Sequence, residues 1–325
     1  MQVRSFAKIN LALAVPGRRP DGYHNIETVF QAISITDELE FRPSAEISLV
    51  CEELPDVPER DNIVWKAAVS LAELAGGRTG VAITLRKSIP SGAGLGGGSG
   101  NAAAALLGLR RFWDLDVSDT DLFSIAEALG ADVPFFLMGG AALGKGRGEI
   151  LSALPDFQPE HLVVVFPGIS VSTASAYRAL NLGLTSVDSD PRIQAFLGHA
   201  DNGNLWRAGI FNDFETAILP AHPEIAEAKS FLEKQGAIST LMSGSGSSVF
   251  GFFLSEESAC AAAVAVNRSN WRAFPAKTLT RAEYFQRMFG QPPFEQLRIT
   301  NYEPGYFMGF RNEGAQEGVD TRRAQ

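Results

Sequence analysis

Cysteine is almost missing from this chain: Cys51 and Cys260 are the two thiols in 325 residues. They lie far apart without Cys-x-x-Cys spacing. That removes a disulfide framework and a thiolate metal site, and leaves two small hydrophobes in a reducing compartment. Histidine is scarce as well, with four copies, and His161, His199 and His222 lack the spacing of a metal site. No apolar run approaches the ~18 residues of a membrane span. Basic residues are outnumbered, 28 Lys and Arg against 37 Asp and Glu, for a formal net charge of −9. This argues against nucleic acid and against an anionic membrane surface as partners, so an anionic ligand needs a local positive site. Arg4 and Lys8, followed by the apolar stretch Ile9 to Val15 with its Ala12-Leu13-Ala14, faintly mimic an export signal. The apolar core is short, contains Asn10 and alternates like a half-buried strand. The expected setting is the cytoplasm.

Glycine is what the chain has. Residues 90–105 read PSGAGLGGGSGNAAAA, five glycines from Gly92 to Gly98 leading into an alanine-rich run, with an apolar strand-like segment at Val81 to Leu85 upstream. A glycine turn feeding a helix start aligns free backbone N–H groups at the positive end of the helix dipole, which suits phosphate. Three phosphate-loop readings compete. Gly92, Gly94 and Gly97 fit G-x-G-x-x-G, with Asp114 or Asp116 near the position of a ribose-binding acid, but Pro90 breaks the direct strand-to-helix turn of a dinucleotide fold. Gly139, Gly144 and Lys145 nearly fit the Walker pattern, yet Gly146 replaces the hydroxyl residue, and a β-turn explains them better. The third reading takes Pro90 to Ser99 as one loop that needs partners elsewhere. A mobile glycine loop without ligand is the plain alternative.

The coarse order is α+β, and the length suffices for two domains sharing a cleft. Strands are expected at Phe6–Val15, Glu38–Arg42, Glu46–Cys51, Val81–Lys87, Leu162–Phe166 and Val249–Leu254, with a hairpin of Ala141–Leu143 and Glu149–Leu151 around Gly-Lys-Gly-Arg-Gly. Helices are expected at Asn62–Ala75, capped by Asp61 or Asn62, at Ser99–Trp113, and at Ser118–Leu129, capped by Ser118. Further helices fall near Thr173–Leu180, Pro223–Gln235, Glu256–Val266 and Arg281–Phe289. The order is not a βαβ ladder, which weakens the dinucleotide reading further.

Four separated segments supply the loop's partners: Ala7-Lys8-Ile9-Asn10-Leu11 running on to Pro20-Asp21-Gly22-Tyr23-His24 and Thr28-Val29-Phe30-Gln31; the glycine loop through Asn101; Leu129-Gly130-Ala131-Asp132-Val133-Pro134-Phe135; and Met242-Ser243-Gly244-Ser245-Gly246. In this order they resemble the GHMP kinases, and among these the branch whose acceptor carries a cytidine diphosphate group. The resemblance spans residues 7 to about 280. It implies a GHMP kinase fold of two domains with the active site between them: 1–155 with the ATP phosphate loop and the catalytic residues, 156–280 as the C-terminal domain, and 281–325 as an extension of unassigned role. It implies ATP as phosphate donor, Mg2+ as its counter-ion, and a small-molecule substrate containing cytidine diphosphate. Gly100 stands where the family more often has a second serine, so one hydroxyl contact to phosphate is expected to be lost.

Phosphoryl transfer needs a cradled γ-phosphate, neutralised charge and an aligned acceptor hydroxyl. The loop residues Pro90, Gly92, Ala93, Gly94, Leu95, Gly96, Gly97, Gly98 and Ser99 are the expected ATP cradle. Asp132 is the candidate base; its plainer reading is a helix cap ahead of Pro134. Lys8 interrupts an apolar strand, either as a strand-edge charge reaching solvent or as a cation aimed into a cleft. The resemblance implies that it pairs with Asp132 and the transferring phosphate. Asn10, on the same strand face, is placed to bond the acceptor polyol. Tyr23, His24 and Phe30 suit a planar base, which stacks on rings while a polar group reads its edge. By resemblance the base is cytosine, with Thr173 and Tyr177 nearby. Phe30 and Tyr177 read equally well as core. Residues 242–248 form a second glycine-serine turn able to close over the loop or the substrate. No protein ligand for magnesium stands out; Ser99 and Glu149 are the options. Other kinases of the family, a non-catalytic nucleotide-binding relative and a nicotinamide oxidoreductase are the competing functions. The intact Lys8 and Asp132, with Tyr23 and His24, favour the cytidine-specific kinase.

Overall fold

The computed structural model describes residues 1–18, 24–77, 79–180, 189–200, 207, 209–290 and 301–302. The strands in chain order are β1 (Gln2–Arg18), β2 (His24–Pro43), β3 (Ile47–Val50), β4 (Val81–Arg86), β5 (Ala141–Lys145), β6 (Ile150–Ala153), β7 (His161–Phe166), β8 (Phe211–Asn212), β9 (Ser239–Met242), β10 (Val249–Phe253), β11 (Arg272–Lys277) and β12 (Asn301–Tyr302). The helices are α1 (Ile63–Leu74), α2 (Gly97–Phe112), α3 (Asp119–Leu129), α4 (Val133–Met138), α5 (Thr173–Leu180), α6 (Pro191–Ala200), α7 (Glu215–Ala221), α8 (Pro223–Lys234), α9 (Glu256–Val264) and α10 (Arg281–Phe289). The class is α+β.

Two sheets form. The larger has the order β12-β6-β5-β2-β1-β8, with β4 also pairing β2, and β3 pairing β4; the smaller is antiparallel in the order β11-β7-β10-β9. One face of the β1–β2 ribbon, carrying Phe6, Phe30, Ala32, Leu39 and Phe41, packs on α1 to α4 and α10. The other face, carrying Ile9, Leu11, Val29 and Ile33, packs on Leu162, Val164, Leu241, Phe250 and Phe252 of the smaller sheet. That sheet's outer face buries Val163, Val165, Val249 and Phe253 beneath α8 and α9. The stack is helix, sheet, sheet, helix, the layered burial that amphipathic elements require.

Most expected elements are present within a residue or two. Asn62 accepts the Val64 N–H at the start of α1, and Ser118 that of Asp121 at α3. The β5–β6 hairpin turns at Gly148, whose N–H bonds Lys145 O. The differences have separate causes. The expectation limited the second strand to Glu38–Arg42, whereas β2 begins at His24, because both its faces are covered and the period-2 signature is lost. β9, β11, α4, α6 and α7 went unread; β11 contains Pro275, α7 contains Pro220, and α4 is six residues long. Of segment 281–325, the described residues 281–290 and 301–302 pack on the body. α10 buries Tyr284, Phe285 and Met288, and Tyr302 of β12 packs its ring on Phe123 at 4.6 Å while its hydroxyl donates to Glu127. Phe294, Tyr306, Phe307 and Phe310 lie outside the described residues.

Candidate active site

Lys8 and Asn10 share one face of β1, and cross-strand pairing sets Asn10 beside Phe30 of β2. The Lys8 side chain is buried. Its Nζ donates to Asn10 Oδ1 at 2.7 Å, lies 3.8 Å from Asp132 Oδ2, and sits 5.4 Å from the centre of the Phe30 ring. Asn10 Nδ2 donates to Thr28 Oγ1, which in turn donates to Ala12 O, so the amide has one orientation consistent with both neighbours. Burial pulls the Lys8 ammonium below its ordinary pKa, and the Asp132 carboxylate opposes that shift without cancelling it. Asp132 occupies the N-cap position of α4 yet makes no capping bond. Its carboxylate, about one-third exposed, is therefore open to the cleft beside Lys8.

The glycine loop leads into α2 through Gly96, whose φ of 67° falls in the left-handed region that favours glycine. A Cβ there would come within 2.8 Å of the Phe136 ring. The loop is tied at both sides. Lys8 N–H bonds Leu95 O, Ser243 Oγ donates to Gly94 O, and Ser248 N–H bonds Ala93 O. The second glycine-serine turn thus clasps the first. Beneath the loop, Asp37 Oδ1 accepts the N–H groups of Ser88 and Ile89 while its Oδ2 accepts Lys87 Nζ at 2.5 Å and Asn101 Nδ2 at 2.9 Å. Asn101 also donates to Ser5 Oγ. This buried network joins β1, β2, α2 and the strand end before the loop. Gly100 meets the β1 backbone so closely that a Cβ would lie 2.5 Å from Phe6 O. The position here serves close helix–strand packing, and a serine would require that packing to shift.

Two cavities adjoin. One, about 450 Å³, is lined by Pro90, Gly92, Ala93, Gly94, Gly96, Gly97, Gly98 and Ser99, with Lys87 and Asn101 at its wall. Leu95, expected in the cradle, instead buries its side chain in the core between the sheets. The other cavity, about 910 Å³, is lined by Lys8, Asn10, His24, Phe30, Asp132, Thr173 and Tyr177, together with Arg147, Arg178 and Phe214. Ser99, Thr173 and Ser245 line both, and Thr173 Oγ1 lies 3.1 Å from Ser245 Oγ. His24 stacks on Tyr177 with centroids 4.7 Å apart and planes within 18°, and Tyr177 meets Phe214 edge-on. Burial, reinforced by the charges of Asp132 and Glu149, pushes the Tyr177 hydroxyl well above its usual pKa and keeps it a donor. Phe30 is both core and cavity wall, so the two readings of it coincide. Tyr23 lies outside the described residues. Glu149 lines neither cavity; its carboxylate accepts the N–H and Nε of Arg147.

Residues 62–140 match the N terminal domain of the GHMP kinases, and 197–273 match the GHMP kinases C terminal domain. The chain is 44% identical over 276 residues to the 4-diphosphocytidyl-2-C-methyl-D-erythritol kinase of Pelotomaculum thermopropionicum, covering 84% of this chain and 96% of that one. The enzyme of the same name from Syntrophus aciditrophicus is 42% identical, covering 86% and 99%. The chain belongs to the 4-diphosphocytidyl-2-C-methyl-D-erythritol kinase family of GHMP kinases. A crystal structure of 4-(cytidine 5'-diphospho)-2C-methyl-D-erythritol kinase superposes with a TM-score of 0.73 at 37% identity, covering 86% of this chain and 99% of that chain. The homoserine kinase of Cytophaga hutchinsonii, at 20% identity and a TM-score of 0.62, shares the fold. The fold expected from the four motif segments is the one observed.

Sequence reasoning missed Lys87, Asp37, Arg147, Arg178 and Phe214. Asp37 and Lys87 are 50 positions apart and only the β2–β4 pairing joins them. Arg147 has a signal in the sequence, its charge within the Gly-Lys-Gly-Arg-Gly turn. Among the described residues no three His, Cys, Asp or Glu gather into a metal site, and no helix is long and apolar enough to cross a membrane.

Proposed function

We propose that this chain transfers the γ-phosphoryl group of ATP to a hydroxyl of 4-diphosphocytidyl-2-C-methyl-D-erythritol, a step of non-mevalonate isoprenoid precursor synthesis, in the cytoplasm. Residues 1–155 act as the lobe bearing the loop and the catalytic pair, and 156–280 as the lobe that closes the cleft. The observation that carries the reading is the meeting of two cavities at Ser99, Thr173 and Ser245, with the Lys8–Asp132 pair beside that junction. The loop cavity suits the ATP phosphates, through backbone N–H groups and Lys87. The larger cavity suits an acceptor with a flat base at one end and a polyol at the other.

In this reading Asp132 accepts the proton of the attacking hydroxyl, which Asn10 orients. Lys8 offsets charge that develops on the transferring group. His24 and Tyr177 hold the cytosine, and Phe30 bounds the chamber. Arg147 and Arg178 bring positive charge to a wall facing the substrate diphosphate, inside a chain of net charge −9. Magnesium fits as a counter-ion held mostly by phosphate oxygens and water. When bound it neutralises the phosphate oxygens. Ser99, which lines both cavities, is the side chain that would reach it.

The test is a coupled ADP-release assay with ATP, magnesium and the cytidine diphosphate methylerythritol acceptor, run against galactose, homoserine and mevalonate. Turnover on the cytidine acceptor alone supports the reading. Equal or better turnover on any of the other three refutes the specificity, and silence on all four with ATP bound refutes the activity.

A further inference from the structure

The helix that follows the matched C-terminal family segment reaches back to the catalytic base. α4 has six residues, too few to be stable on hydrogen bonds of its own, and Asp132 gives it no side-chain cap. Its C-terminal carbonyls also need partners. They find them on α10. The fully buried Tyr284 donates its hydroxyl to Phe136 O at 2.7 Å. Arg281 donates Nε to Met138 O at 3.1 Å and, just beyond the helix, Nη2 to Ala141 O of β5 at 2.9 Å. Arg281 is itself anchored, since its backbone N–H bonds Asp156 Oδ1. α10 is pinned by a Thr280–Glu283 capping box and by Gly290 at its end.

We infer that Arg281 and Tyr284 are positioning residues for the reaction: by holding the C-terminal carbonyls of α4 they fix Asp132, at the other end of that helix, against Lys8. This rests on the reading of Asp132 as the base. A rigid base matters because a misplacement of about 1 Å costs about 100-fold in rate. Two hydrogen-bonded tethers on a one-and-a-half-turn helix leave Asp132 little freedom to swing. The ring of Tyr284 fills the core in any case. Its hydroxyl is the part free to serve position.

The experiment uses Tyr284→Phe, Arg281→Met and Arg281→Lys in the full chain, with Phe289→Ala as a control. Phe289 packs on the same core and faces Arg111, and its ring offers the three carbonyls no hydrogen bond. At saturating substrates and well below the unfolding temperature, Tyr284→Phe and Arg281→Met are expected to lower kcat about 10-fold with both KM values within about twofold. Arg281→Lys recovers part of that loss, and Phe289→Ala lowers the unfolding temperature without changing kcat. Wild-type kcat in the first two variants, or an equal kcat loss in the control, overturns the inference. Combined with Asp132→Asn, Tyr284→Phe should leave the residual rate within about twofold, because its effect runs through Asp132; a further tenfold loss overturns it. Amide hydrogen exchange over 130–139 provides a readout that needs no turnover. Faster exchange in both variants supports the tether and unchanged exchange refutes it, even if the cytidine acceptor proves to be the wrong one. Asp132→Asn at wild-type rate would refute the base reading alone.

Discussion

The coupling between Lys8 and Asp132 can be measured by a double-mutant cycle of Lys8→Met, Asp132→Asn and the pair. At an effective dielectric of about 20, unit charges 3.8 Å apart attract by about 4 kcal/mol. Lys8 is buried, but the Asp132 side chain is 34% exposed, so water screens part of the interaction and about 2 kcal/mol is the reasonable figure. That energy equals a factor of about 30. If Asp132 is the base, as proposed, Asp132→Asn alone should cost about 100- to 10,000-fold in kcat. ATP affinity should change little, since the group acts mainly in the transition state. If the two residues act as a unit, the double variant loses about 30-fold less than the product of the single losses. ADP release followed over substrate concentration yields kcat/KM for each corner of the cycle. Strictly multiplicative losses would sink the pairing, and an Asp132→Asn enzyme that keeps a tenth of the wild-type rate would sink the base.

Lys8 also dictates a pH response. Its pKa in the folded chain lies below the ordinary 10.5, so kcat/KM should fall at high pH before a free lysine would titrate, and Lys8→Arg should move that limb upward; an unmoved limb assigns it elsewhere. Between the folded value and 10.5 the unfolded chain binds more protons than the native one, so the Lys8 contribution to stability rises with pH, and urea midpoints of wild type and Lys8→Met should converge towards high pH. His24→Ala removes one partner of the stack on Tyr177 and should raise KM for the cytidine acceptor with a smaller loss of kcat; an unchanged KM moves the base site. Gly96→Ala forces a left-handed alanine whose Cβ presses on the Phe136 ring, and should destabilise by about 2 kcal/mol and weaken ATP more than acceptor. Equal losses for both ligands would contradict a loop dedicated to the nucleotide.

Local chemistry was legible in the sequence wherever one residue reports on its own neighbours. Asn62 and Ser118 announced helix starts, the glycines announced the loop, and the alternation of Ile9, Leu11, Leu13 and Val15 announced β1. What escaped depends on closure in space. β2 lies between a helical layer and the second sheet, so its polar His24, Thr28 and Gln31 interrupt a pattern that burial on both faces had already flattened. The Asp37–Lys87–Asn101 network joins residues that no spacing rule connects. α4 was hidden by its brevity, and Asp132 looked like a cap; the structure leaves that capping bond unmade.

The two adjoining chambers, with Ser99, Thr173 and Ser245 as their common rim, have a kinetic consequence. On the proposed reading donor and acceptor lodge side by side, so neither must leave before the other arrives and no phosphorylated form of the protein has to store the group between visits. Initial-velocity plots should then intersect instead of running parallel. An inert analogue filling one chamber should leave the other free to load, and isotope exchange between ADP and ATP should wait for the acceptor.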